Sequence, residues 1–274
     1  MTIIIAATFP DYGGAMLTDS QGSDLKGGTK SLDLTKTRTI RGRDAHLCIG
    51  QSGDATFGDY ALDDLQRHVD PSSNDFRRMI QDNLRTSADK YARAPSGVPR
   101  YQRENATKES RFLSLHTTVG GSSLYSGTTQ TQRRISSMSA AIGSGAKSAF
   151  TGFNQEVARR YKDTQNEREI SIPATLSCLL LGYYKAITTN LYCGGNPRLI
   201  IQQEETHRPT IEATTFALRI ALARKEGIIS LEEEQEILIA ALLQDTDHLD
   251  LEKEVLKRAS QEDRRTLINI LHGY

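Results

Sequence analysis

The segment Thr2-Ile3-Ile4-Ile5-Ala6-Ala7-Thr8-Phe9 constrains the fold of this 274-residue chain more than any other. Its β-branched density disfavours helix and favours a pleated, buried strand. Pro10-Asp11-Tyr12-Gly13-Gly14 then supplies turn chemistry, and Ala15-Met16-Leu17-Thr18 reads as a second strand. The chain therefore opens on a hairpin whose first strand starts at residue 2.

Blocks of strands and helices follow. Gly22 to Leu34 is polar and Gly-rich and reads as a loop. Thr35 to Ile40 and Ala45 to Ile49 read as a strand pair around Gly42-Arg43-Asp44. After the turn Gly50 to Asp54, helical periodicity predicts helices over Ala55 to Val69 and Asn74 to Ala92, broken at Asp70-Pro71-Ser72-Ser73. Ala94 to Ser110, polar and with two prolines, predicts a mobile loop. Arg111 to Val119 and Gly127 to Ile142 read as strands.

Gly143-Ser144-Gly145 leads into a helix to about Lys162. A second helix, capped by Ser171 with Pro173 in its first turn, runs to about Thr189, and Arg198 to Gln203 reads as a strand. From Thr206 onward there is no strand signal. Helices are predicted over Thr210 to Lys225, Leu231 to Leu243 and Gln261 to Leu271, with a short one over Leu249 to Arg258; Ser230 and Glu233 form a capping box. The order implies an α+β fold, with two sheets carrying helices on their outer faces in a four-layer αββα sandwich. Residues 1–205 make that domain and 206–274 a helical C-terminal extension.

Composition narrows the function classes. Lys+Arg and Asp+Glu both number 34, and zero net charge argues against a nucleic-acid partner. No apolar run reaches the roughly 18 residues of a membrane span. Ile3 to Ala7 is too short for a signal-peptide core, so a cytoplasmic protein is expected. Cys48, Cys178 and Cys193 lack CxxC spacing and no HExxH occurs, so neither metal nor cofactor is indicated. Gly120-Gly121 and Gly194-Gly195 lack the strand–turn–helix context of a phosphate loop. Asp245, Asp247 and Asp250 lack the glycine and glutamate of a calcium loop.

Thr2 stands apart chemically. If Met1 is removed, one residue carries both a hydroxyl nucleophile and a free α-amine, whose pKa near 8 lets it accept the hydroxyl proton. Asp19 ends the second strand, Lys36 opens the third, and Gly50 ends the fourth. Ile142-Gly143-Ser144-Gly145 and Asn190-Leu191-Tyr192-Cys193-Gly194-Gly195 come later. From about Thr2 to Gln203 this set resembles the proteasome β-subunit family and its HslV-type bacterial relatives, within the N-terminal-nucleophile hydrolases. The Lys36-to-Gly50 spacing matches that family. The Thr2-to-Asp19 and Asp19-to-Lys36 spacings are each one residue longer, with the extra residues in loops.

The resemblance implies roles. Thr2 is the nucleophile; Lys36 sits beside its hydroxyl, lowering its pKa or relaying its proton; Asp19 pairs with Lys36. The Gly50 N–H forms the oxyanion hole, and Ser144, Asn190 and Cys193 form the network around the terminal amine. Gly22, Leu34, Arg38, Cys48 and Ser52 line the pocket beside the nucleophile, with Cys48 at its floor and Arg38 near a rim that would favour acidic residues. Ser23 and Gly50 bind the substrate as an added strand. The chain departs from the family pattern in having Asn190 for aspartate, Cys193 for serine and Gln21 for arginine. The implied activity is threonine endopeptidase action on peptides or unfolded protein, in a homo-oligomeric ring or double ring fed by an ATPase unfoldase. A structural ring subunit, or an amidase or acyl-transferring ligase on the same scaffold, is the alternative.

Overall fold

The computed structural model describes residues 2–10, 12–19, 22–23, 30–31, 36–95, 97–163, 170–190 and 193–273. In chain order it contains β1 (Ile3–Thr8), β2 (Gly14–Asp19), β3 (Gly22–Ser23), β4 (Lys30–Ser31), β5 (Thr37–Arg41) and β6 (Ala45–Ser52). Helices α1 (Ala55–His68), α2 (Phe76–Arg93) and α3 (Arg100–Glu109) follow. Next come β7 (Arg111–Thr118), β8 (Gly121–Gly127), β9 (Gln132–Ile135) and β10 (Ser139–Gly143), then α4 (Ala146–Asp163) and α5 (Ile172–Thr189). The chain continues with β11 (Pro197–Gln202), β12 (Thr206–His207), α6 (Ile211–Lys225), α7 (Leu231–Leu243), α8 (His248–Arg258) and α9 (Gln261–His272).

Two five-stranded antiparallel sheets result, ordered β10-β1-β2-β11-β12 and β5-β6-β7-β8-β9; β3 and β4 pair separately. The uninterrupted apolar run of β1 is explained by burial on both faces. Ile3, Ile5 and Ala7 pack with Phe153, Leu179 and Tyr183 from α4 and α5. Ile4 and Ala6 pack with Met16, Cys48, Leu113 and Leu115, where the two sheets meet. Strand β6 does the same for the second sheet: Leu47 and Ile49 face Phe57, Leu62 and Leu84 of α1 and α2, while Cys48 points the other way. A one-residue slip of either strand would exchange its two cores, so the register is strongly specified.

The C-terminal helices share the core of the first sheet. Phe216, Ile220, Leu238, Leu242 and Leu267 belong to the same apolar cluster as Ile5, Leu179 and Leu199. A buried ion pair adds to this: Arg160 of α4 donates to both carboxylate oxygens of Glu234 of α7 at 2.8 Å, and to Ser177 Oγ of α5 at 2.6 Å. The Ser230–Glu233 capping box starts α7, and Ser171 caps α5. Among the described residues no helix is long and apolar enough to cross a membrane.

Four sequence expectations are corrected. The stretch from Ala94 to Ser110, expected as a mobile loop, contains helix α3. Its buried positions are Arg103 and Thr107, one turn apart, so the buried face carries no apolar signal. Arg103 donates to the Ala94 carbonyl, and Thr129 Oγ1 donates to that of Thr107 at 3.4 Å. Residues 127–142 are not continuous strand, because a turn closed by Thr128 N–H on the Thr131 carbonyl (2.8 Å) separates β8 from β9. The unanticipated β8 is Ser-rich and follows β7 through a hairpin at Val119–Gly120. The third correction is β12, which pairs with β11 where no strand was expected. Parts of the Gly22–Leu34 segment, read as loop, form the β3–β4 ladder; the rest of it lies outside the described residues.

Candidate active site

Asp19 is the hub of the site. It ends β2 with its side chain fully buried. Its Oδ1 accepts from Lys36 Nζ at 2.8 Å and from the Ile3 N–H at 3.0 Å; its Oδ2 accepts from the Gly194 N–H at 3.3 Å. The sheet sets this convergence: β2 lies between β1 and β11, with Ile4 opposite Thr18 and Pro197 opposite Asp19. One carboxylate thus gathers the start of β1, the residue before β5 and the entry to β11. Burial pushes the Asp19 carboxyl above its ordinary range, and Lys36, Ile3 and Gly194 oppose that rise. Burial pushes the Lys36 amine below its ordinary range, opposed chiefly by Asp19.

Thr2 is buried and immediately precedes β1. Its peptide to Ile3 supplies the N–H held by Asp19 Oδ1, the same oxygen that holds Lys36. From the other side, β10 brings Gly143 opposite Ile3. Gly143 has φ +97°, and a Cβ there would run into the Thr2 carbonyl oxygen, so both backbone conformation and close approach require glycine.

The next residue, Ser144, is exposed, and its Oγ lies 3.3 Å from Cys193 Sγ. Asn190, the C-cap of α5, donates from Nδ2 to the Ser144 carbonyl at 3.0 Å and accepts the Cys193 N–H at 3.0 Å. Burial pushes the Cys193 thiol up, with Ser144 opposing; the group is therefore a neutral thiol at ordinary pH. Thr2, Asp19, Lys36, Ser144, Asn190 and Cys193 converge around the start of β1.

The remaining expected residues divide. Gly50 lies opposite Thr37 in the β5–β6 ladder, and Gln51 N–H donates to the Lys36 carbonyl at 3.0 Å, which ties that strand end to the lysine. Cys48 is fully buried, with Sγ 3.6 Å from Met16 Sδ, and its thiol is pushed up to about 12 by burial. Ser52 is buried opposite Arg111. Arg38 turns towards α1, where Nε and a terminal nitrogen donate to Asp63 Oδ1 at 3.0 and 2.9 Å and Asp59 lies at 3.9 Å. Its charge already faces carboxylates of its own chain, which removes the ground for expecting it to select acidic residues. Gly22 and Ser23 form β3, opposite Ser31 and Lys30. Leu34 and Gln21 lie outside the described residues.

The Ile3 and Gly194 N–H groups on Asp19 escaped sequence reading, because backbone donors have no side-chain signature; the Gly194–Gly195 pair was the only cue. Among the described residues, no three His, Cys, Asp or Glu side chains converge as a metal site requires. Chemically, the site presents a buried, hydrogen-bonded lysine beside the backbone of a hydroxyl-bearing residue.

No protein-family profile matches the chain, and no curated protein matches it. Solved structures do. Anbu, described as an ancestral beta-subunit, from Yersinia bercovieri is 13% identical with a TM-score of 0.60, over 84% of this chain and 96% of that one. The Anbu complex from Pseudomonas aeruginosa, solved as a helical assembly, is 16% identical with a TM-score of 0.58, over 82% and 93%. A Gly-1 mutant of Anbu from Hyphomicrobium sp. strain MC1 is 11% identical with a TM-score of 0.57, over 84% and 98%. At these identities the likeness is one of fold alone, the fold shared with the Anbu structures.

Proposed function

We propose that the protein is a threonine-type peptidase in which Thr2, exposed by removal of Met1, attacks peptide bonds of short or unfolded polypeptides. The observation that carries this reading is the shared acceptor: Asp19 Oδ1 takes hydrogen bonds from both Lys36 Nζ and the Ile3 N–H, tethering the lysine to the Thr2–Ile3 peptide. In the reaction, the Thr2 α-amine accepts the hydroxyl proton while the Lys36 ammonium lowers the cost of the developing alkoxide. Oγ1 bonds to the substrate carbonyl carbon, the carbon–nitrogen bond breaks, and the proton passes to the leaving amine. Water then hydrolyses the ester and regenerates Thr2. The Gly50 N–H stabilises the oxyanion, and Ser144, Asn190 and Cys193 hold the amine. The chemistry so drawn uses no metal or cofactor.

The surrounding features fit the same reading. Contacts of α4 and α5 with one sheet, of α1 and α2 with the other, and of the sheets with each other support a four-layer αββα sandwich, which we assign to residues 1–205 with 206–274 as its helical extension. Such a subunit works in the cytoplasm as a homo-oligomer that hides its sites, a ring or double ring, with an ATPase unfoldase supplying substrate. Head-to-tail contacts close into rings or run on as helices according to a small rotation. Gly22, Ser23, Leu34 and Ser52 would border the substrate strand, whereas Cys48 lies buried between the sheets and Arg38 is held by Asp63.

One pair of observations favours a second reading, a structural subunit or an amidase or acyl-transferring ligase. The amine network holds a neutral Asn190 and a thiol, Cys193, where the resemblance calls for a carboxylate and a hydroxyl. The deciding experiment is intact-mass analysis combined with hydrolysis of a denatured protein substrate. Loss of Met1 with turnover that Thr2→Ala abolishes is expected. Retained Met1, or turnover surviving Thr2→Ala, overturns the peptidase reading.

A further inference from the structure

Tyr183 has no part in the reading above, yet it touches the machinery from behind. It lies on α5, fully buried in the apolar core beside Ile3, Ile5 and Phe153. Its hydroxyl donates to the Gly195 carbonyl at 3.3 Å. Burial holds the phenol far above its ordinary range, so it is a hydrogen-bond donor at every working pH.

The segment it grips delivers a backbone donor to the site. Gly194 N–H reaches Asp19 Oδ2 at 3.3 Å, and Asp19 Oδ1 holds Lys36. Two successive glycines carry that N–H, with φ values of 154° and 83°. Glycines at positive φ have wide backbone freedom and no side chain of their own to anchor them. A fixed N–H direction therefore needs a tie from outside, and the Tyr183 hydroxyl is such a tie, one residue beyond the donor.

Resting on the Thr2 reading, we infer that Tyr183 is a positioning residue for catalysis: it fixes the Gly194–Gly195 turn so that the Gly194 N–H stays on Asp19, which in turn holds Lys36 beside Thr2. The hydrogen bond from Gly194 favours the Asp19 carboxylate over the acid. Losing it raises the pH at which Asp19 takes up a proton and releases Lys36. The acid limb of the rate profile then moves to higher pH, a shift that simple loss of stability does not produce.

The test is Tyr183→Phe, which keeps the ring in the core and removes only the hydroxyl. Two quantities are read: kcat against pH, and hydrogen exchange of the peptide carrying Gly194 and Gly195. The expected result is a limb displaced upward, kcat lowered about three- to ten-fold with KM unchanged, and faster exchange by a similar factor. An unchanged exchange rate, or an unmoved acid limb in an active enzyme, overturns the inference. If the wild type cleaves no peptide, the Thr2 reading has failed on its own, and the exchange rates still decide whether Tyr183 orders the turn.

Discussion

Lys36 and Asp19 form a buried ion pair at 2.8 Å, with the lysine 8% and the aspartate 0% exposed. Breaking such a pair from one side leaves an uncompensated buried charge. Lys36→Met is therefore expected to lower the unfolding free energy by about 3–5 kcal/mol at neutral pH and to abolish turnover. Asp19→Asn combined with Lys36→Met should cost less than Lys36→Met alone, because no buried charge is stranded and the amide oxygen still accepts from one of the Ile3 and Gly194 N–H groups. Urea denaturation of the three proteins checks this; a Lys36→Met variant as stable as wild type contradicts it.

The pair also sets a pH dependence. Lys36 acts in its charged form, so activity falls on the alkaline side as the amine loses its proton. Burial lowers that pKa, and Asp19 is the main influence raising it back. Asp19→Asn removes the opposing charge, so the alkaline limb of kcat/KM should move to lower pH in whatever activity remains. A limb that moves upward contradicts the assignment.

Gly143 is expected to tolerate no side chain. Alanine there meets both a positive φ and the Thr2 carbonyl oxygen, so Gly143→Ala should cost about 2 kcal/mol or more and displace Thr2 enough to remove turnover. Gly97, with nothing within 4 Å of an added Cβ, is the control: Gly97→Ala should stay within about 0.5 kcal/mol of wild type. Thermal unfolding and peptide hydrolysis read both.

Cys193 sits where a hydroxyl suits the Ser144 contact, and a thiol is the weaker hydrogen-bond former. Cys193→Ser should keep or raise kcat by a few-fold, whereas Cys193→Val should lower it about ten-fold. Equal rates in all three proteins would remove Cys193 from the network.

The C-terminal helices should prove inseparable from the rest. Glu234→Ala removes the carboxylate that Arg160 and Ser177 share in the core and is expected to cost about 3–5 kcal/mol; Glu234→Gln, which keeps an acceptor for both, should cost less. Denaturant midpoints of the two variants test this, and a Glu234→Ala protein as stable as wild type refutes it.

What was legible in the chain follows from how each element is stabilised. The first hairpin, the Ser171 and Ser230 caps and most helices were readable because β-branched runs, capping hydroxyls and apolar periodicity report directly on burial and hydrogen bonding. Helix α3 was not, since Arg103 and Thr107 fill its buried face. Strand β8 was hidden by its serines. In the site, Asp19, Lys36, Ser144, Asn190 and Cys193 came from the family resemblance; Asp19 pairs with Lys36, and Ser144 contacts Cys193 and Asn190. The direction of Arg38 was not readable, because Asp63, on a separate helix, decides it. Nor were the Ile3 and Gly194 donors, which belong to the backbone.

The most direct measurement of the central claim is mass spectrometry of the protein after treatment with a β-lactone that acylates N-terminal threonine. The account predicts one adduct, on the peptide beginning at Thr2, absent in Thr2→Ala and strongly reduced in Lys36→Met. An N-terminal peptide that still carries Met1, or a processed Thr2 left unmodified, would contradict it.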